Sequence, residues 1–280
     1  MLRTIVNSVK RHRTFEEINN FRVKLENGRP LVSGDNSYGQ LGHPESVSSI
    51  EKPTPVPNLN ERLEAAHSSL SNVYLTTRHT VLSAGLNTDN QLGRSFNHSL
   101  SHTFKQVEWD FGRFDGVKQL STNGDTATVL TMDGSVVGWG NSEYGSLCSV
   151  EDKGVEPRNI SEHLDKAGCR YITKISVAGA HSWFLNDTGE VWNVGLQLVD
   201  ENPVISPIPK KLELPCKALN IWSGVHHSAA FLEDETLYIS GPQLDRFTIT
   251  TNQNKGDLER LVKSKTLDSM FGFNSILLHS

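Results

Sequence analysis

Met132–Cys148 reads MDGSVVGWGNSEYGSLC. Asp133-Gly134 is a hairpin-turn dipeptide, because glycine accepts the positive φ that a tight turn demands. Ser135–Trp139 then forms a short, largely apolar strand pattern. Gly138 and Gly140 flank Trp139, which signals a backbone that its neighbours approach closely. Asn141–Gly145 follows as a polar turn, closed by Leu147.

Related stretches recur. The first glycines of the GxN-like turns are Gly34, Gly85, Gly140, Gly195 and Gly241, at intervals of 51, 55, 55 and 46 residues. Gly34–Gly42 reads GDNSYGQLG, Gly85–Gly93 reads GLNTDNQLG and Gly140–Cys148 reads GNSEYGSLC. In these copies Gly39, Gly42, Gly93 and Gly145 are further fixed points, whereas the copies at Gly195 and Gly241 have diverged. A second marker stands fourteen residues before each glycine, at Asn20, Ser71, Thr126, His181 and His227. Eight residues after that marker the hairpin glycine appears as Gly28, Gly134 and Gly189, while His79 and Glu235 replace it in the other two copies. Asn274 opens one more partial copy, SMFGFNSILL.

Each unit therefore contains strand, tight turn, strand, polar loop and a variable stretch that leads to another strand. Ile172–Val177 and Leu219–Ser223 fit that last strand. Short apolar runs with a period of two dominate, and only Ser161–Ala167 and Gly256–Lys263 suit a helical turn or two. Pro-rich Lys52–Pro57 and Pro203–Pro209 suit loops or edge strands. Repeats of this length with about four strands each predict an all-β fold, a β-propeller of about five repeats. One blade cannot bury both its faces, so neighbours must pack side by side. Phe21–Ser33 and Asn274–Leu278 are expected to share a blade.

The composition fits a packed core, with 36% hydrophobic and 21% charged residues, and no apolar run long enough to span a bilayer. The formal charge of −5 gives no bulk attraction to nucleic acid. Cys148, Cys169 and Cys216 show no CxxC spacing, so packed thiols are expected rather than a disulfide framework or a zinc site. Residues 1–15 stand apart: Arg3, Lys10, Arg11 and Arg13 accompany Leu2, Ile5, Val6 and Val9 on one helical face, with no acid before Glu16. This is the pattern of a mitochondrial transit peptide, which leaves residues 16–280 for the propeller.

These motifs resemble the regulator of chromosome condensation repeat family, whose unit runs CGxxHSxAL, xDGxLYxWG, xNxxGQLG. Gly224–Leu232 (GVHHSAAFL), Asp133–Gly140 (DGSVVGWG) and Gly34–Gly42 carry the match, which covers residues 20–280. GLNTDNQLG at 85–93 and GWGNSEY at 138–144 are most similar to the family's mitochondrial branch. The family propeller has seven blades and this chain has repeats for about five, which fits a smaller ring, an open arc or a shortened form. The resemblance implies a mitochondrial regulator of a GTPase, in the matrix or at the inner membrane. It would act as a guanine-nucleotide exchange factor without covalent chemistry. The inner-membrane fusion GTPase is the partner it suggests. As the alternative, it implies a non-catalytic scaffold in assembly of the large mitochondrial ribosomal subunit, with assembly factors or rRNA as partners.

By that resemblance, Asp125, His181, His226 and His227 stand on the rim that meets the partner. The histidines also suit a purely structural role, capping strand ends through hydrogen bonds. His226 and His227 are adjacent and point to opposite sides of a strand, so they are poor joint metal ligands. Trp139, Trp183, Trp192 and Trp222 fall in or beside strands and suit packing between blades. The chain lacks GxxxxGK[ST], GxSxG and HExxH, and Asn141–Gly145 lies between strands instead of before a helix. No cofactor or metal is expected.

Overall fold

The computed structural model describes residues 21–95, 98–199, 202–224, 228–241, 244–249 and 276–277. Hairpin-connected strands build five antiparallel sheets, one per repeat. The first holds β1 (Phe21–Glu26), β2 (Arg29–Asp35) and β3 (Ser49–Pro55). The second holds β4 (Ala65–Ser68), β5 (Asn72–Thr76), β6 (Val81–Leu86) and β7 (Leu100–Gln106). The third holds β8 (Val117–Asn123), β9 (Thr126–Thr131), β10 (Val136–Gly140) and β11 (Val155–Asn159). The fourth holds β12 (Ile172–Ala178), β13 (His181–Asn186), β14 (Val191–Val199) and β15 (Asn202–Lys211). The fifth holds β16 (Ala218–Ser223), β17 (Ser228–Leu232), β18 (Leu237–Gly241) and β19 (Leu244–Ile249). Among the described residues the first sheet has three strands and lacks an innermost one.

The middle strands of each blade face apolar neighbours on both sides. β5, β9 and β10 are buried along their whole length. Four hydrophobic cores lie between blades that follow one another in sequence. Phe21, Val32, Leu41 and Leu75 join the first two. Tyr74, Val107, Phe111 and Trp139 join the second and third. Leu130, Ile160, Ile172 and Trp192 join the third and fourth, and Trp183, Leu185, Ile221 and Tyr238 join the fourth and fifth. Among the described residues, none of these cores joins the fifth blade to the first. Trp139, Trp183, Trp192 and Trp222 are all buried, as the strand pattern requires.

The glycine signature has a steric cause. Within the second blade, Ser83 pairs with Lys105 but Gly85 pairs with Ser101, so the outer strand bulges between them. Gly85 takes a φ of +120° there, and a Cβ on it would stand 2.2 Å from the Ser71 carbonyl oxygen. Gly140 repeats the arrangement in the third blade, with a φ of +93° and a Cβ site 2.1 Å from the Asp125 carbonyl oxygen. The left-handed φ and the close backbone approach both demand glycine.

Neighbouring blades also clasp through polar side chains along their inner strands. Gln119 on β8 donates Nε2–H to the Ile175 carbonyl (2.8 Å) and accepts from the Ile175 N–H (3.0 Å) on β12. Ser121 Oγ accepts from the Val177 N–H at 3.0 Å. Side chains of one blade thus satisfy the edge of the next, which would otherwise offer unpaired backbone groups. β4 finds a different partner: β20 (Ile276–Leu277) pairs with Ala66 and Ala65 along it. The described part of the C-terminal repeat therefore lies on the second blade and not beside β1.

Helix α1 (Ser161–Lys166) falls where the sequence predicts it and buries Leu164 in the core between the third and fourth blades. A 3₁₀ turn at Phe111–Phe114, capped by Asp110, has no counterpart in the sequence expectation. Lys52–Pro57 and Pro203–Pro209 supply most of the outermost strands β3 and β15, where proline is tolerated. Residues 1–15 and Gly256–Lys263 lie outside the described residues. No helix among the described residues is long and apolar enough to cross a membrane.

Candidate functional site

The second strand of each blade starts on one rim, and the polar turn after the third strand returns to that rim. Gly124 and Gly179 precede two of these starts, and a Cβ on Gly124 would lie 3.9 Å from the Gly179 Cα. Thr126 Oγ donates to the Asn141 carbonyl at 2.8 Å within its own blade. It also lies 3.4 Å from the Gly179 carbonyl of the next blade. The third and fourth blades therefore bring their marker segments together.

Asp125 stands at this junction. Its backbone carbonyl accepts from the Asn141 N–H at 2.8 Å. Its carboxylate accepts from Gln91 Nε2–H at 3.0 Å, across the boundary between the second and third blades. Burial raises the Asp125 pKa above the ordinary carboxylate value, the nearby Asp89 charge raises it further, and the Gln91 hydrogen bond opposes both. Asp89 in turn lies 3.4 Å from Asn141 Nδ2, and Asn90 Nδ2 donates to the Gly154 carbonyl at 2.7 Å. These contacts interlock the rim turns of the second and third blades.

Gln91 is the part of this junction that the sequence pattern did not single out. Its carbonyl accepts from Tyr74 OH (2.7 Å) and from Trp139 Nε1–H (3.0 Å). The two aromatic rings meet edge-on, 6.3 Å apart at 63°. One residue thus joins the buried core to the rim acid. At the next junction both ends of this clasp are replaced together: Ser146 stands where Gln91 would, and Ala180 where Asp125 would. Ser146 Oγ is buried with no hydrogen-bond partner.

His181 begins β13 and is half-buried. Its Nε2 lies 2.6 Å from Ser228 Oγ of the fifth blade, and Ser228 Oγ donates to Ser223 Oγ at 3.0 Å. His181 therefore tethers two blades while keeping part of its ring at the surface. Ser228 is only 1% exposed, so this serine–histidine contact does not present a nucleophile to a substrate. Asp125 and His181 occupy neighbouring blades on the same rim. His226 and His227 lie outside the described residues. Among the described residues there is no group of three histidine, cysteine, aspartate or glutamate side chains that could hold a metal.

The signature glycines have a structural place. Gly34, Gly39, Gly42, Gly85, Gly93, Gly134, Gly140, Gly145, Gly189 and Gly195 all have positive φ. They shape the turns and the close approaches that hold Asp125 and His181 on the rim. The arrangement offers an acid, a histidine and backbone groups on a rigid surface, which suits non-covalent docking.

Five antiparallel sheets that pack face to face in sequence define a β-propeller with a repeated rim. Its repeats are similar to those of the regulator of chromosome condensation family. No family model matches the chain. The chain is 26% identical over 228 residues to the mouse RCC1-like G exchanging factor-like protein, covering 75% of this chain and 49% of that protein. It is 28% identical over 174 residues to the mouse regulator of chromosome condensation, covering 61% of this chain and 39% of that protein. The crystal structure of human WBSCR16 superposes with a TM-score of 0.70 at 22% identity, covering 82% of this chain and 65% of that one. The chain thus spans about half the length or less of the curated relatives named here.

Proposed function

We propose that this protein regulates a GTPase as a guanine-nucleotide exchange factor, docking through the rim that carries Asp125 and His181. The observation that carries this reading is the similarity over 228 residues to a G exchanging factor-like protein. Exchange needs no covalent step. The rim must hold the nucleotide-free GTPase more tightly than the nucleotide-bound form, and the difference in affinity sets how far the population shifts. A rim tethered across blades by Gln91–Asp125 and His181–Ser228 changes little on docking, so less binding energy is lost to ordering.

A mitochondrial setting, with the inner-membrane fusion GTPase as partner, rests on the basic amphipathic character of residues 1–15 and on the likeness to the mitochondrial branch. The test is affinity capture from mitochondrial extract on the full chain, in EDTA without nucleotide and in excess GDP with magnesium. A GTPase retained only without nucleotide supports exchange. Ribosomal assembly factors recovered without any GTPase would overturn it and move the protein to the scaffold role.

A further inference from the structure

The third repeat departs from its sisters at one backbone position. The signature turn ends on Gly42 in the first copy and Gly93 in the second, with φ of +68° and +64°. Cys148 holds the same place in the third copy and keeps a φ of +60°. A non-glycine residue there is strained, so the side chain has a specific position to fill.

The sister copies show where that side chain goes. A Cβ on Gly93 would meet Val107 at 2.9 Å, and one on Gly42 would meet Val56 at 3.2 Å. Val56, Val107 and Ile160 occupy equivalent places, because each donates its N–H to the strand before it: to Pro30, Val81 and Val136. Cys148 lies in the same buried core as Ile160, the residue that precedes helix α1. Ile160 and Leu164 share one buried core with both Cys148 and Cys169, which are 5% and 0% exposed. The Cys169 N–H is fixed to the Leu164 carbonyl at 2.9 Å, and the Cys148 N–H to the Gly145 carbonyl at 3.1 Å. Both thiols are free.

We propose that Cys148 and Cys169 form a dithiol site that closes to an intramolecular disulfide with glutathione disulfide as oxidant. The bond would tie the signature turn of the third blade to the segment that enters the fourth.

The surrounding charges assign the order of events. Burial raises the Cys148 thiol pKa to about 12, and Arg158 opposes that rise. The Arg158 guanidinium is held by Ser149 Oγ and Glu151. Burial raises Cys169 too, and Cys148, Asp165 and Glu190 all add to the rise. Cys148 is therefore the thiol that ionises more readily. Its thiolate attacks one sulfur of glutathione disulfide, the S–S bond breaks, and one glutathione thiolate leaves. Cys169 then loses its proton and attacks the mixed disulfide at the Cys148 sulfur. The second glutathione thiolate leaves as the protein S–S bond forms. Two protein thiols are oxidised and one glutathione disulfide is reduced to two glutathiones. Burial makes the first attack slow, so the pair responds to sustained oxidation.

The test incubates the full-length folded protein with glutathione disulfide, then unfolds it, alkylates free thiols and digests it with trypsin. The expected product joins peptide 119–153 to peptide 167–170, with only Cys216 left to alkylate. C216S should give the same linked peptides, while C148S and C169S should each abolish them. Three alkylatable cysteines after incubation, or glutathione on Cys148 and Cys169 without a joined peptide, would overturn the proposal. Circular dichroism before and after oxidation checks that each variant is folded, so loss of the link cannot be mistaken for unfolding.

Discussion

Gly140→Ala should destabilise the protein far more than Gly134→Ala, although both glycines have φ near +90°. The values are +93° and +90°. An alanine at either place meets the same backbone strain, about 1–2 kcal/mol. The surroundings differ. Nothing lies within 4 Å of a Cβ on Gly134, whereas a Cβ on Gly140 would stand 2.1 Å from the Asp125 carbonyl oxygen. Relief requires the backbone to move by roughly 1 Å, which adds an overpacking cost of about 1–3 kcal/mol. The sum is a large share of the roughly 5–15 kcal/mol that holds an ordinary domain together. That movement also breaks the 2.8 Å hydrogen bond from the Asn141 N–H to the Asp125 carbonyl. Urea unfolding followed by tryptophan fluorescence measures the two losses, and amide exchange at Asn141 reports the local break. Equal loss in the two variants, with Asn141 still protected in Gly140→Ala, would refute the close approach as the cause of the glycine signature.

Three more outcomes follow from single contacts. His67 is fully buried on β4, where burial lowers its pKa from 6.5 to about 4. The unfolded chain thus takes up this proton first, so stability is lost as pH falls below 6.5 and the loss levels off near 4, at about 3 kcal/mol in total. His67→Gln should flatten that acid limb of a stability–pH curve. Gln119→Ala leaves the Ile175 N–H and carbonyl without their partner and should cost about 1–3 kcal/mol, with faster amide exchange at Ile175 as the local readout. Asp125→Asn removes a charge whose pKa is raised by burial and by Asp89, so the variant should melt at a higher temperature at pH 7 while keeping the Gln91 hydrogen bond.

The repeated parts of this protein are legible from sequence because repetition multiplies a weak signal. One DGSVVGWG hairpin is ambiguous, but five copies in register define the blades, their order and the packing role of Trp139. Helix α1 was legible too, since Leu164 needs only a short local pattern. The contacts across blades were not. Gln91 and Asp125 are far apart in sequence, and Asp89 reaches the same place only because Asn141 and Gly154 bring two turns together. Gln40 occupies the same repeat position as Gln91 yet bonds to Asp35 in its own turn, so position alone does not fix the partner. The strand at Ile276–Leu277 shows the same limit. The sequence marks it as a repeat strand, but its neighbour depends on which edge accepts it, and β4 does. The Asp110-capped turn at Phe111–Phe114 was missed because it is one turn long and lies in the variable stretch.

The most direct measurement of the central claim is release of a fluorescent GDP analogue from the captured GTPase, with this protein at catalytic concentration. Wild type should accelerate release at least about tenfold, a lowering of the release barrier by roughly 1.4 kcal/mol. Asp125→Asn should lose most of that acceleration while melting no lower than wild type. Release at the same rate with wild type, with Asp125→Asn and without any added protein would contradict the account.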